Sequence, residues 1–382
     1  MSQHASLRAR LERVVDRGIA DARLVGAVVL VARDGAIVHR HAAGLADREA
    51  GRAMREDAIF RLASVSKPFV TAAAMRLVER GVIALDQPVS RWLPAFKPAL
   101  QDGSRPAITL HQLLTHTSGL SYRFLEPSGS AYHRLEVSDG LDQPGLAMEE
   151  NLRRLAQAPL AFAPGTAWRY SLGIDVTGAV LEAATGKTLA TIVRDEVTGP
   201  LGLVDAGFAV ADRSRLAAPY ADGPRGPVRM EGTVAVPLPP QAGEGEVRFT
   251  PERLFDPRSF LSGGAGMVGT AADVLTLLEA IRTGGAPILS SATVAMMMRD
   301  QVGPQAETQG PGWGFGYGWA VLDDPAPTGT PQAAGTLQWG GAYGHSWFVD
   351  PVNRLTVVAL TDTAFEGMAG PFVTELRDAV YG

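Results

Sequence analysis

Strand-like sequence stands near both ends of this chain, and the stretch between reads as helices and loops. Gly26 to Arg33 (GAVVLVAR) is a short apolar run of the kind a buried strand shows. Asp34-Gly35 is a strong two-residue hairpin signal, and Ala36 to Ala43 returns as the second strand. At the far end, Gly314 to Leu322, Thr336 to Val349 and Leu355 to Thr361 are again strand-like. Strands at both termini with helices between predict one antiparallel sheet assembled from the two ends of the chain, with a helical lobe inserted.

The helical readings follow from period. Leu7, Leu11, Val14, Val15 and Ile19 recur at helical spacing, so 5–20 is an amphipathic helix. Phe372 to Val380 closes the chain as another, and Ala272 to Arg282 is a helix after Gly263-Gly264-Ala265-Gly266. Between residues 81 and 205, Leu110 to Leu114, Leu146 to Ala158, Val176 to Ala184 and Ala190 to Val197 read as helices separated by Gly and Pro. Residues 219–257 are Pro- and Gly-rich with little periodicity, which predicts a long loop region near a site entrance. The expected division is 1–80 with 272–382 as an α/β unit, and 81–271 as a mainly helical unit.

Composition removes several classes of function. The 382 residues carry a net charge of −5, so there is no nucleic-acid footprint. There is no cysteine, which excludes disulfides, thiolate catalysis and cysteine zinc sites. No apolar run of about 20 residues is present, so no membrane insertion is expected. Charges at Arg8, Arg10, Glu12, Arg13, Asp16, Arg17, Asp21 and Arg23 leave no signal-peptide core there, and a cytoplasmic globular protein is the expectation. His39 and His41 read as exposed strand residues. His111 and His116 are five apart, the wrong helical spacing for a shared zinc ion, so no metal site is expected.

Chemistry enters at Leu62-Ala63-Ser64-Val65-Ser66-Lys67-Pro68, which contains S-x-x-K. The apolar run that follows (Val70, Ala72 to Ala74, Met75, Leu77, Val78) predicts a helix buried on most faces. Pro68 lacks an N–H and belongs in a first turn, which puts Ser64 at or just before the helix start. Residues i and i+3 share a face, so Lys67 lies beside the Ser64 hydroxyl. A serine hydroxyl needs a proton acceptor to become a nucleophile. A lysine neutralised by burial and nearby positive potential can serve.

Two further stretches complete a constellation. Tyr170-Ser171-Leu172 follows the turn signal Ala163-Pro164-Gly165. A phenol near an ammonium can relay a proton between serine and a leaving group. Trp339-Gly340-Gly341-Ala342 sits within the predicted strand Thr336 to Val349, where paired glycines mark close backbone approach. The Ala342 N–H, with that of Ser64, could form an oxyanion hole.

S-x-x-K, then Tyr-Ser-x, then W-G-G on a late strand resembles the serine β-lactamase-like proteins. Specifically the chain is similar to the family VIII carboxylesterases, esterases that resemble class C β-lactamases. Phe60 to Lys67, HQLLTHTSGL at 111–120, GPGWGFGY at 310–317 and QWGGAYGHSWFVD at 338–350 carry the likeness. It spans nearly the whole chain and implies a two-lobed α/β β-lactamase-like fold. It also implies Ser64 as nucleophile, Lys67 as its partner, Tyr170 as proton relay, and the N–H groups of Ser64 and Ala342 as oxyanion hole, with no metal or cofactor. Trp339 stands where β-lactamases carry the lysine of K-T-G, and Leu172 where they carry an asparagine. Both changes weaken β-lactam hydrolysis and favour neutral esters.

The expected function is therefore a serine carboxylesterase acting on short-chain acyl esters through an acyl-enzyme on Ser64. A β-lactamase or D-alanyl-D-alanine peptidase-like hydrolase, an acyltransferase, and a catalytically dead binding protein are the alternatives. Trp339, Gly340 and Gly341 are expected at the substrate. His345 either lines the pocket or packs beside it, and Tyr122, with Phe124 and Tyr132, either shapes an acyl pocket or fills core. His116-Thr117-Ser118-Gly119 is expected to fix a loop under the site. The expected partner is a small ester, with a monomer favoured.

Overall fold

The computed structural model describes residues 3–240 and 244–382, with the side chains of 3–5 left aside. Residues 1–2, and 241–243 of the predicted 219–257 loop, lie outside the described residues.

One eight-stranded antiparallel sheet organises the chain. Its strands are β1 (Gly26–Arg33), β2 (Ala36–Asp47), β3 (Arg52–Ala53), β4 (Trp313–Phe315), β5 (Ala320–Leu322), β6 (Leu337–Gly341), β7 (His345–Asp350) and β8 (Leu355–Thr361). Their order is β4-β5-β6-β7-β8-β1-β2-β3. The two ends of the chain meet where Val28 pairs with Leu360 and Leu30 with Val358. The predicted hairpin forms as read: Asp34 and Gly35 have φ of 54° and 83°, the double positive φ of a type I′ turn.

Both sheet faces are covered, which is why β1 shows no polar alternation. On one face α1 (Gln3–Ala20) and α5 (Pro371–Tyr381) pack Leu7, Leu11, Val15, Phe372, Leu376 and Val380 onto Ala27, Val29, Val31 and Val357. On the other, α2 (Ser66–Glu79) and α4 (Ala271–Arg282) pack onto Val28, Leu30, Val358 and Leu360. α2 runs through this second core, with Phe69, Val70, Ala72, Ala73, Ala74 and Met75 all fully buried. A separate core of Val89, Phe96, Leu113, Leu120, Tyr132, Leu155, Leu172 and Val180 holds the inserted helices. These include Leu110–Leu114, Met148–Leu155 and α3 (Gly173–Thr185). The first is closed by a capping box in which Thr109 and Gln112 bond reciprocally.

Three readings need correction. Thr336 to Val349 is not one strand: β6 ends at Gly341, Gly344 N–H bonds back to Gly341 O at 2.8 Å, and β7 returns from His345. Ala342 and Tyr343 are not turn-forming residues, so only Gly344, at φ 107°, could have revealed the bend. Second, the predicted loop 219–257 contains two short ladders, Tyr220–Ala221 with Val228–Arg229 and Val234–Pro237 with Glu246–Phe249. Pairs of two to four residues are too short to show a period of two. Third, His39 is buried, 4% exposed, because α1 covers that face of β2.

Candidate active site

Ser64 is placed by a corner. Phe60 pairs with Gly269 in a two-residue ladder, and Ala63 then takes φ 46°. A left-handed alanine costs about 1–2 kcal/mol, held here by complete burial of Ala63. A single 3₁₀ turn, Ala63–Val65, leads straight into α2. Its first bond is Val65 N–H to Leu62 O at 3.0 Å, so the Ser64 N–H precedes the ladder and has no place in it.

Lys67, one turn on, is fully buried. Its Nζ donates to Ser64 Oγ at 3.0 Å and to Gly264 O at 2.8 Å, both neutral oxygens. It also lies 4.7 Å from the ring centre of Tyr170 and 5.4 Å from that of Tyr122. Tyr170 arrives from the inserted lobe, and its hydroxyl is 2.7 Å from Ser64 Oγ. Trp339 Nε1–H donates to the same phenol oxygen at 3.3 Å. The Tyr170 ring is held between Trp339, His116 and Tyr122, with centroids 5.1, 4.9 and 4.8 Å away. His116 Nδ1 and Ser171 Oγ share a hydrogen bond of 3.1 Å, and the His116 carbonyl accepts Arg169 N–H. The 116–119 loop thus braces the segment that delivers Tyr170. Burial, then the Lys67 charge, holds the His116 imidazole well below its ordinary pKa, so it sits neutral against the Tyr170 ring.

The glycine pair explains how β6 reaches the nucleophile. A Cβ on Gly341 would lie 2.4 Å from Leu62 O, and one on Gly340 would lie 2.7 Å from Met368 Cγ. Only glycine lets β6 lie against the Ser64 turn, which leaves Ala342 on the rim of the cavity that Ser64 lines. Leu62 O is backbone and cannot swing aside. Gly341→Ala is therefore expected to lower esterase kcat/KM at least about tenfold, since small misplacements cost up to about 10²-fold. Initial rates with an unchanged melting transition would locate the loss in geometry.

The cavity over Ser64 has a volume of ≈ 920 Å³. Tyr122, Phe124, Trp168, Tyr170 and Trp339 line it, together with Leu238 and Val247, beside and on the Val234–Pro237/Glu246–Phe249 hairpin. Trp339, Gly340 and Ala342 line it, whereas Gly341 lies beneath. Tyr132 instead fills the inserted lobe's core. Leu172 is fully buried in that core and offers nothing to a substrate.

His345 does not line the cavity, which corrects the substrate-binding expectation. It is fully buried, its Nε2 donates to Arg61 O at 2.8 Å, and its ring packs edge-on to Phe60. It ties the start of β7 to the strand that delivers Ser64. Burial pushes its pKa down to about 4. Its folded pKa lies below the ordinary 6.5, so the folded state binds fewer protons between these values. Stability attributable to this group is complete above about pH 6.5 and is lost as pH falls toward 4. We expect His345→Gln to flatten that part of the stability-versus-pH curve measured by urea unfolding; an unchanged slope would assign it elsewhere.

Among the described residues no group of three His, Asp or Glu could hold a metal ion. The S-x-x-K reading did not reach Asp175, Gly264 and Ser262, which stand behind Lys67. The Gly263-Gly264-Ala265-Gly266 run was the one sign of backbone packed tightly there.

A β-lactamase family model matches residues 11–380. The chain belongs to the β-lactamase family. Within it, the chain is 59% identical over 377 residues to Esterase EstB of Burkholderia gladioli, covering 99% of this chain and 96% of that protein. Its structure superposes on EstCE1, described as a hydrolase with promiscuous acyltransferase activity, with a TM-score of 0.97, 50% identity and 99% of each chain covered. Unliganded simvastatin synthase from Aspergillus terreus shares the fold, with a TM-score of 0.77, 22% identity, and 100% of this chain and 98% of that one covered.

Proposed function

We propose that this chain is a serine carboxylesterase that hydrolyses short acyl esters through an acyl-enzyme on Ser64. The observation that carries the reading is the convergence of Lys67 Nζ and Tyr170 OH on Ser64 Oγ, at 3.0 and 2.7 Å. Ser64 Oγ attacks the ester carbonyl, and its proton passes to the Lys67/Tyr170 pair. The tetrahedral oxyanion is received by the N–H groups of Ser64 and Ala342. Collapse breaks the carbonyl–alkoxy bond, and the leaving alcohol takes the proton through Tyr170. Water, deprotonated by the same pair, then attacks the acyl carbonyl, releases the acid and restores the Ser64 hydroxyl. The likeness to EstB and EstCE1 supports the reaction class.

The aromatic cavity supports neutral substrates. Where a β-lactamase would present a lysine, Trp339 N–H is engaged with Tyr170 and offers no cation to a carboxylate. Nitrophenyl acetate and nitrophenyl octanoate should be turned over, the acetate faster, and a chromogenic cephalosporin much more slowly at its lactam ring. Cephalosporin turnover equal to the ester rates would replace the proposal with the β-lactamase reading. Peptide mapping of trapped enzyme should find the acyl group on Ser64.

Acyl transfer is a second reading, supported by the EstCE1 description. It differs only in whether an alcohol or water takes the acyl group, and product ratios in added alcohol distinguish the two. We also read the site as complete in a monomer, since Ser64, Lys67, Tyr170 and Trp339 come from one chain; light scattering tests this. No helix among the described residues is long and apolar enough to cross a membrane. A cytoplasmic location belongs to the proposal and is tested by cell fractionation.

A further inference from the structure

Behind Lys67 stands a carboxylate that the esterase mechanism does not use. Asp175 lies in the first turn of α3 and is 2% exposed. Its Oδ1 accepts Ser262 Oγ–H and the Gly264 N–H, the latter at 3.3 Å. The carbonyl of that same Gly264 accepts Lys67 Nζ at 2.8 Å. Carboxylate, Gly264 and amine therefore form one line ending at Ser64, with Asp175 on the N–H of that residue and Lys67 on its carbonyl. The second carboxylate oxygen, Oδ2, has no hydrogen-bond partner among the described residues. Gly264 must be glycine for this line to exist, since a Cβ there would lie 2.4 Å from Asp175 Oδ2 and 3.0 Å from the Tyr122 hydroxyl.

Buried carboxylates are costly unless something charged or hydrogen-bonding needs them. When Lys67 takes the Ser64 proton, a cation forms at a fully buried site whose direct partners are neutral oxygens. A fixed negative charge on the other side of Gly264 would stabilise that cation. The Gly264 N–H and carbonyl belong to adjacent peptide groups, so the carboxylate acts on the amine through space and by fixing the residue whose carbonyl Lys67 uses.

We propose that Asp175 is a positioning residue for acylation, stabilising the protonated form of Lys67 by its charge and by fixing Gly264, whose carbonyl holds the amine. The proposal rests on the serine esterase reading, with Lys67 receiving the Ser64 proton. No bond is made or broken at Asp175. Burial raises the Asp175 pKa, while the Ser262 hydroxyl, the Lys67 charge and the Gly264 N–H oppose that rise. The other ionisable groups about it are Tyr122, whose hydroxyl also lies against Gly264, Tyr170 beyond Tyr122, and Arg253.

Asp175→Asn keeps the shape and the Gly264 acceptor and removes the charge. With nitrophenyl acetate, kcat is expected to fall about tenfold with KM unchanged, and the acid limb of kcat/KM to move down by about one pH unit, the same free energy read twice. Asp175→Glu should leave the limb near its original place. Ser262→Ala removes a hydroxyl that helps keep the buried Asp175 ionised, so its limb should move downward as well. That second variant decides the matter if Asp175→Asn does not fold. A limb unmoved in Ser262→Ala, or in folded Asp175→Asn, overturns the proposal, whatever happens to the rate. Mapping of the acyl group keeps the two readings apart: an acyl group found away from Ser64 sinks the esterase mechanism, while acyl-Ser64 with unmoved limbs sinks only the role of Asp175.

Discussion

Ser64→Ala is expected to lose roughly 10⁴-fold or more of kcat/KM toward nitrophenyl acetate, the scale seen when a covalent nucleophile is removed. The argument is geometric. Ser64 Oγ is the one atom on which Lys67 Nζ and Tyr170 OH both converge, at 3.0 and 2.7 Å. Without it the two groups have nothing to activate and no acyl group can be held. The cavity walls are untouched, so substrate still enters, and what is left reflects water attack aided by the oxyanion donors. Initial rates and intact mass after an acyl quench measure the outcome. A variant within tenfold of wild type, or one that still accumulates acyl adduct, would remove the mechanism.

The second large effect belongs to Tyr170. Tyr170→Phe should lower ester turnover at least about 100-fold, within the range of general acid–base contributions. The ring is clamped by Trp339, His116 and Tyr122, so phenylalanine should occupy the same space. What disappears is one oxygen, and with it the hydrogen bonds to Ser64 Oγ and from Trp339 Nε1. KM should change little, because the phenol acts on the reacting atoms. A loss below threefold would assign the relay to another group. Because Ser64, Lys67 and Tyr170 form one hydrogen-bonded unit, combining Tyr170→Phe with Lys67→Met should cost far less than the product of the single losses.

Much of this arrangement is legible in the sequence, because its signals are local. Two adjacent residues make the 34–35 hairpin, and a three-residue spacing puts Lys67 beside Ser64 on one helical turn. The buried α2 announced itself by an apolar run. The bend at 342–344 did not, since Ala342 and Tyr343 are not turn formers and the flanking residues are strand-like on both sides. The position of His345 escapes a reading of the sequence for a related reason. Sequence proximity to W-G-G suggested the pocket, but the tight turn carries His345 onto β7 beneath Phe60, where its imidazole holds Arg61 O.

Periodicity, turn chemistry and the S-x-x-K spacing are properties of neighbouring residues, so the chain order alone specified the elements and the nucleophile's nearest helper. Contacts such as Tyr170 with Ser64, 106 residues apart, and Lys67 with Gly264, 197 apart, carry no local signature. They exist because packing the inserted helices against the sheet brings separate backbones within hydrogen-bond distance. Which carboxylate stands behind the amine, which histidine is buried structure and which hairpin lines the cavity were settled by that packing.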